Sequence, residues 1–472
     1  MIDRRLILQA LLARGLGRNA LLAITQSLVT MTSVFLVYRI LIAHEGLSGL
    51  GLWALLMAFG GIATAFDISG ASALARSVAR HEIEFSHTTR GALIHTVLLT
   101  SVGINTLVLL MLLMAAPALL PLIVLPSQLE EAWRLAPWIA LLMLANPISG
   151  GLSAALDGLM RADIRAILVS GASMIGLTAA YLLIPSLGIL GVAAAQLLQQ
   201  AAIIVGAWIL LKRRVQDLGW IPHRWNLRTF KLTSSYSVKM NVIGILGIAF
   251  DPVSKYFINS FGGPAALGSY ELASRLVIQL RNLVVSASIP LLPAFAVLEK
   301  TDQMLNVMLG KTQRYMALAS LAVAALSIPA SLVMSFVILS EISPEVIRMS
   351  AIMTFGWSLN ILSLPLYLVA QAQGRLRWNI ASHLVMTLAV AGAALSARHG
   401  HPLDMVMGVA LAIVTGAAVT IVGNAGAFQA RRVLVSALPA TFGVTAAITA
   451  GCALLYFNAS ALAMIPLLWP IW

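Results

Sequence analysis

Asp251 and Lys255 stand four residues apart in the stretch DPVSKYFINS, which closes an apolar run beginning near Tyr236. Glu271, Arg275 and Arg281 follow in the next apolar run. One charge at a bilayer centre costs about 2.5–3.5 kcal/mol on insertion scales, so such residues face a cavity or one another and are candidates for chemistry. Residues four apart share a helix face, so Asp251 points with Lys255 and Glu271 with Arg275. Counting inward from a turn near 260–265, Lys255 and Glu271 lie about one turn deep and Asp251 and Arg275 two to three turns deep. Antiparallel spans can then pair Lys255 with Glu271 and Asp251 with Arg275. Arg281, deeper still, has no carboxylate left in this pair of helices. With Arg39 and Lys239, five bases oppose Asp251 and Glu271, a net charge of +3. The rigid arginine fork matches phosphate oxygens. The expected substrate-binding set is therefore Arg281, Arg275, Lys255, Arg39 and Lys239. Asp251, Glu271, Asp67 and Asp157 form the expected ion-pair or gating set.

The elements that must hold these charges follow from composition. Of 472 residues, 60% are hydrophobic and 10% charged, and the mean hydropathy is +0.93. A soluble chain of this length could not hide that much apolar surface. The solvent is a bilayer, and the fold class is an all-α polytopic membrane protein. The single cysteine, Cys452, excludes an internal disulfide framework. The first eighteen residues are too basic and interrupted for a signal peptide and read as a short interfacial helix.

A spanning helix needs roughly 20 apolar residues. Twelve such stretches occur, at 19–42, 47–72, 91–117, 134–159, 166–186, 189–211, 233–260, 265–297, 314–339, 346–371, 378–397 and 404–428. A thirteenth covers about 433–456, and residues 460–472 are a truncated further span or a re-entrant end. With a cytoplasmic N-terminus, 22 of the 30 lysines and arginines fall on inner segments, which predicts that orientation. The net charge of +13 then faces anionic inner-leaflet lipids, with no need of nucleic acid.

An internal repeat organises the spans. LGLW (Leu50 to Trp53) returns as LGSY (Leu267 to Tyr270), EAWR (Glu131 to Arg134) as EVIR (Glu345 to Arg348), and GVAAA (Gly191 to Ala195) as GVALA (Gly408 to Ala412). ALDGLMR (Ala155 to Arg161) returns as AQAQGRLR (Ala370 to Arg377), and Arg39 is echoed by Lys255, all at offsets of 214–217 residues. Six spans separate the copies, so two six-helix lobes point the same way, related by a pseudo-two-fold axis along the membrane normal, with extra C-terminal helices. The expected division is an N-lobe at 1–211, a basic cytoplasmic linker at 212–232, a C-lobe at 233–430 and extra spans at 431–472.

This pattern resembles the multidrug/oligosaccharidyl-lipid/polysaccharide (MOP) flippase superfamily. FDISGASALARSVA (Phe66 to Ala79) looks like the Asp-x-x-Gly…Arg segment of polysaccharide flippases of the O-antigen (Wzx) type. DPVSKYFINSFGGPAALGSYELASRLV resembles the signature of their seventh and eighth spans. The resemblance covers about residues 15–430. It implies a monomeric flippase of a bacterial inner membrane that moves an undecaprenyl-pyrophosphate-linked glycan outward by alternating access. Membrane lipids, a glycan polymerase and a chain-length protein are its implied partners, and it needs no cofactor.

Other readings stand beside these. The Asp251–Lys255 group has a second reading as a structural lock between spans seven and eight, and Arg39 and Lys239 read equally as snorkelling span-end cations. Asp67 and Asp157, beside Arg76 and Arg161, read as end-caps, gate ion pairs, or proton or sodium sites. Asn146, Asn241, Asn360 and Gln196 line a sugar path or make interhelical hydrogen bonds. GKT at Gly310 to Thr312 lacks the glycine five residues earlier that a phosphate-binding loop requires, since Leu305 stands there. A membrane glycan polymerase, ligase or acyltransferase would want its acid, base or nucleophile on a sizeable outer loop. The longest such connection, about 118–133, is largely apolar. A drug or cation antiporter would want an acidic cavity instead, and a lipid II flippase would share the pyrophosphate-prenyl anchor.

Overall fold

A computed structural model describes residues 15–65, 74–79, 90–234, 249–288, 303–397 and 400–427, with isolated positions 81, 85, 88, 89, 291 and 295. The helices are α1 (Gly15–Ala65), α2 (Leu74–Ala79), α3 (Arg90–Ile123), α4 (Leu129–Gly158), α5 (Ala162–Leu187) and α6 (Ile189–Lys212). After them come α7 (Phe250–Ser288), α8 (Gln303–Leu339), α9 (Pro344–Ala372), α10 (Arg377–Ser396) and α11 (Pro402–Ala427). No strand occurs among the described residues. Nine helical segments there are long and apolar enough to cross a membrane, and the protein is an all-α, multi-pass membrane protein. α7 is not one of the nine; it carries the five charges with which the sequence reading began. Lys239 and Asp67, the side chain of Arg76, Asn241, and the expected spans beyond residue 430 lie outside the described residues.

Two expected breaks in hydropathy are sharp backbone turns inside α1 and α7. Gly46 adopts φ 68° and ψ −174°, and Gly263 φ 83° and ψ 170°. Only glycine occupies this region without a Cβ clash. The two glycines are 217 residues apart, the spacing of the repeat, so the repeat is written in backbone geometry as well as in letters. At α4–α5 and α9–α10, Met160 and Gly374 again take positive φ, 58° and 70°. The outer connection expected over 118–133 is shorter than the sequence suggested. α3 continues through Pro117 and Pro121 to Ile123, and α4 starts at Leu129. Helices in lipid tolerate such prolines because neighbouring groups re-satisfy the freed carbonyls.

The chain divides into two compact units, Met1–His44 with Phe59–Val242, and Glu45–Ala58 with Ile243–Trp472. In the first, Leu74, Val78, Ile94, Val97, Leu156 and Leu211 belong to one buried core. The basic segment after α6 lies back on α3: the Gly91 N–H donates to Asp217 Oδ2 at 2.9 Å and Trp225 Nε1 donates to Thr100 Oγ1 at 3.0 Å. Farther along α3, Leu107, Leu110, Met111 and Met114 are exposed at helical spacing, which in this solvent is a lipid-facing stripe.

In the second unit α9 is the axis, buried along almost its whole length. α8 is fastened to it by Gln313 Nε2 donating to the Leu362 carbonyl at 3.0 Å and Ser320 Oγ to the Ser358 carbonyl at 2.7 Å. A side chain at Gly356 would meet Ala410, so small residues let α9 and α11 approach closely. The repeated glycines Gly51 and Gly268 do the same near the turns. A Cβ on Gly51 would collide with the Pro264 carbonyl, and one on Gly268 with the Leu47 carbonyl.

Gly263→Ala and Gly46→Ala should each lower stability by about 1–3 kcal/mol in detergent unfolding, the scale of backbone strain at such positions. Gly103→Ala, where an added methyl meets open space, should lose nothing.

Candidate functional site

Sixteen residues separate Lys255 from Glu271, roughly 24 Å along a straight helix. In the structure Lys255 Nζ lies 2.9 Å from Glu271 Oε2. The turn at Gly263 therefore folds the two arms of α7 onto each other and makes this pair. Lys255 also reaches Asp251 Oδ2 at 3.0 Å, within its own helix. The other oxygen of Glu271, Oε1, accepts from Arg275 Nε at 3.1 Å and Nη2 at 2.7 Å. Lys255 and Glu271 are fully buried, whereas Asp251 and Arg275 are partly exposed. Among the described residues the cluster holds two acids and two bases, which sum to zero.

The expected Lys255–Glu271 pair forms, while the expected Asp251–Arg275 pair is replaced. Each outer member bonds a residue four positions away on its own arm, where helix geometry already brings the side chains together. Burial without pairing would cost several kcal/mol per ion, so such a cluster survives only with its bonds complete.

Arg281 is held differently. It projects from the second arm of α7 toward α9, where Nε donates to Asn360 Oδ1 at 3.1 Å and the guanidinium lies 4.6 Å from the Trp357 ring centroid. Trp357, Asn360 and Tyr367 lie toward one side of α9. The Tyr367 hydroxyl is 3.3 Å from Nε2 of His383 on α10, and both side chains lie within electrostatic range of Arg281. Asn379 Nδ2 donates to the Tyr367 carbonyl at 3.1 Å, and Asn424 Nδ2 to Asn379 Oδ1 at 3.0 Å, which fixes α10 and α11 against α9.

Among the described residues no carboxylate pairs with Arg281, and no protein hydrogen bond engages its two terminal nitrogens. A cation resting on an aromatic face keeps part of its stabilisation out of water. The arrangement can therefore present a pre-oriented fork to an anion. Asn360, one of the residues weighed for a sugar path, serves as its bracket. Trp357, Tyr367 and His383 were not singled out in the sequence. Their signal was polar or aromatic side chains at helical spacing in an apolar span.

The remaining candidates are dispersed. Arg39 is exposed in the first unit. Asp157 accepts from Arg165 Nε at 2.7 Å, whereas Arg161, its expected neighbour, donates to Asp163 at 2.9 Å instead. Gln196 lines a cavity of about 40 Å³ with Thr30, Ser33, Ser173 and Gln199, a water-sized space with no carboxylate on its described walls.

Comparison with known proteins adds three findings. A family described as "Polysaccharide biosynthesis protein" matches residues 39–348, about two thirds of the chain. Among curated proteins, none matches the sequence. Among solved structures, an inward-facing multidrug resistance MATE family transporter of the MOP superfamily superposes with TM-score 0.65 at 14% identity, covering 86% of this chain and 98% of its own. The lipid II flippase MurJ, inward closed, gives 0.63 at 12%, covering 95% and 99%. A MOP superfamily transporter from Pyrococcus furiosus, titled for the reverse polarity of its binding pocket, gives 0.56 at 15%, covering 87% and 96%. At such identities the likeness is one of fold.

Glu271→Gln removes a carboxylate from two cations at once and should cost about 3 kcal/mol or more of unfolding free energy. Asp251→Asn, half exposed in its pair, should cost under about 1 kcal/mol. Denaturant unfolding of the two purified variants in one detergent measures the difference.

Proposed function

Because the chain belongs to the polysaccharide biosynthesis protein family, we propose that it is a flippase for an undecaprenyl-pyrophosphate-linked glycan, working by alternating access in a bacterial inner membrane with its N-terminus cytoplasmic. The observation that carries this reading is Arg281: a basic side chain inside a helical unit, oriented by Asn360 and Trp357, with its terminal nitrogens available. A diphosphate offers the paired oxygens that such a fork takes in two parallel bonds. The fold shared with MurJ and MATE transporters supports movement of a substrate across the bilayer over a reaction at its surface.

In this reading the five cations do not share one role. Arg281 receives the diphosphate or an acidic sugar. Lys255, Glu271, Asp251 and Arg275 hold the two arms of α7 together, and Arg275, partly exposed, remains a substrate contact in this reading. From their places in the sequence, this reading keeps Arg39 and Lys239 as further cations for the substrate and Asp67 and Asp157 as gating carboxylates. A multidrug resistance MATE family transporter shares this fold, and a drug or cation antiporter is the alternative reading. A lone cation at the binding position would repel such cargo. A membrane polymerase or ligase has no support in the fold neighbours, which are transporters.

Proteoliposomes carrying a fluorescent undecaprenyl-pyrophosphoryl sugar test the reading. The wild-type protein should move the label to the quencher-accessible leaflet. Arg281→Ala should slow it about tenfold or more, the scale of losing charge-assisted hydrogen bonds. Arg134→Ala, whose side chain is exposed on the surface with Glu130, should behave as wild type. Movement of an organic cation without any movement of the polyprenyl sugar would replace the flippase reading by the antiporter one.

A further inference from the structure

One turn beyond Arg281, the same arm of α7 forms a wall of a groove in the second unit with a volume of about 670 Å³. Leu283, Val284, Ala287 and Leu291 line it from the α7 side, and Met308, Met316 and Ala319 from α8. Along α8 the lining positions run from 308 to 319, roughly 16 Å of helix. The two buried hydroxyls in the walls are spent on their own helices: Ser288 Oγ donates to the Val284 carbonyl at 2.7 Å and Thr312 Oγ1 to the Met308 carbonyl at 2.9 Å. They offer the groove no free donor, so its body is apolar and elongated.

Among the described lining residues a single charge, Lys311, interrupts it. Lys311 lines the groove, is exposed, and makes no ion pair among the described residues. The Tyr315 side chain stands one turn further along α8, also exposed. An apolar channel with one lysine matches a molecule with one anionic group and one long hydrocarbon chain. Because α8 is one of the spanning helices, the medium that supplies such molecules is the membrane.

We propose that this groove is the loading site of the lipid-linked substrate, in which the isoprenoid chain lies between α7 and α8 and Lys311 takes the phosphate nearest the chain. This rests on the flippase reading and adds a location to it. The chain lies along Val284, Ala287 and Met316, on the arm that continues to Arg281. In this arrangement the headgroup passes from Lys311 on α8 across to Arg281 on α7 while the chain stays in the groove between them.

Native mass spectrometry of the full-length protein in detergent tests the site without requiring transport, using undecaprenyl phosphate as the probe and undecaprenol and phosphatidylglycerol as comparators. The expected result is retention of undecaprenyl phosphate by the wild-type protein in preference to both comparators. Lys311→Glu and Ala287→Trp should each weaken it about tenfold, the scale of one charge-assisted bond. Both positions are exposed, and an unchanged unfolding temperature confirms that each variant is folded. Equal retention of phosphatidylglycerol would make the groove an ordinary lipid contact and overturn the proposal. So would tight binding that survives both substitutions. Either outcome, obtained with a wild-type protein that still moves the labelled polyprenyl sugar, would sink the groove and leave the flippase reading intact.

Discussion

A charge inside a bilayer must be answered by another charge, by water or by a ligand, and in this protein the answer is organised around Glu271. Its two oxygens serve two cations, Lys255 across the turn and Arg275 one helical turn away. The turn at Gly263 adopts a conformation that a side chain would oppose, so glycine at this position permits the ion pairs that close the two arms. Lys255 and Glu271 are buried, and leaving either there without its partner would cost several kcal/mol. The cluster consequently behaves as a clasp on α7.

Neutrality within the clasp changes the meaning of Arg281. Were all the bases of α7 free, the helix would be a diffuse positive surface; with two of them balanced, positive character is concentrated at one guanidinium. α9 fixes that guanidinium with an amide oxygen and an aromatic face, neither of which cancels its charge. The hydrogen bonds that run from Asn424 through Asn379 to the backbone at Tyr367 hold the helix behind it. Such support restricts the arginine to few rotamers before a ligand arrives, and preorganisation of this kind reduces the entropy lost on binding.

Hydropathy made the spans legible because the bilayer imposes length and composition on each helix independently of its neighbours. The repeat was legible too, although Gly46 and Gly263 were not recognised in it as the turn positions. Depth counting found the Lys255–Glu271 contact, since antiparallel arms about a short turn leave little choice of register. It misassigned Arg275, because which of two carboxylates an arginine reaches depends on side-chain reach within about a turn. Trp357, Tyr367 and His383 stayed hidden because they lie some 80–100 residues along the chain from Arg281. Only packing within the second unit brings them together. The same holds for the groove, whose residues are ordinary apolar ones in both helices.

The central claim is that Arg281 faces a space that a lipid-borne diphosphate can enter. The chain has one native cysteine, so Arg281→Cys on a Cys452→Ser background gives a single reporter thiol. Its reaction rate with a water-soluble thiol reagent in proteoliposomes is the most direct measurement. The account predicts ready labelling that falls severalfold when undecaprenyl-pyrophosphoryl sugar is added. A thiol that a folded protein keeps from the reagent, or one whose labelling is indifferent to the lipid, would contradict it.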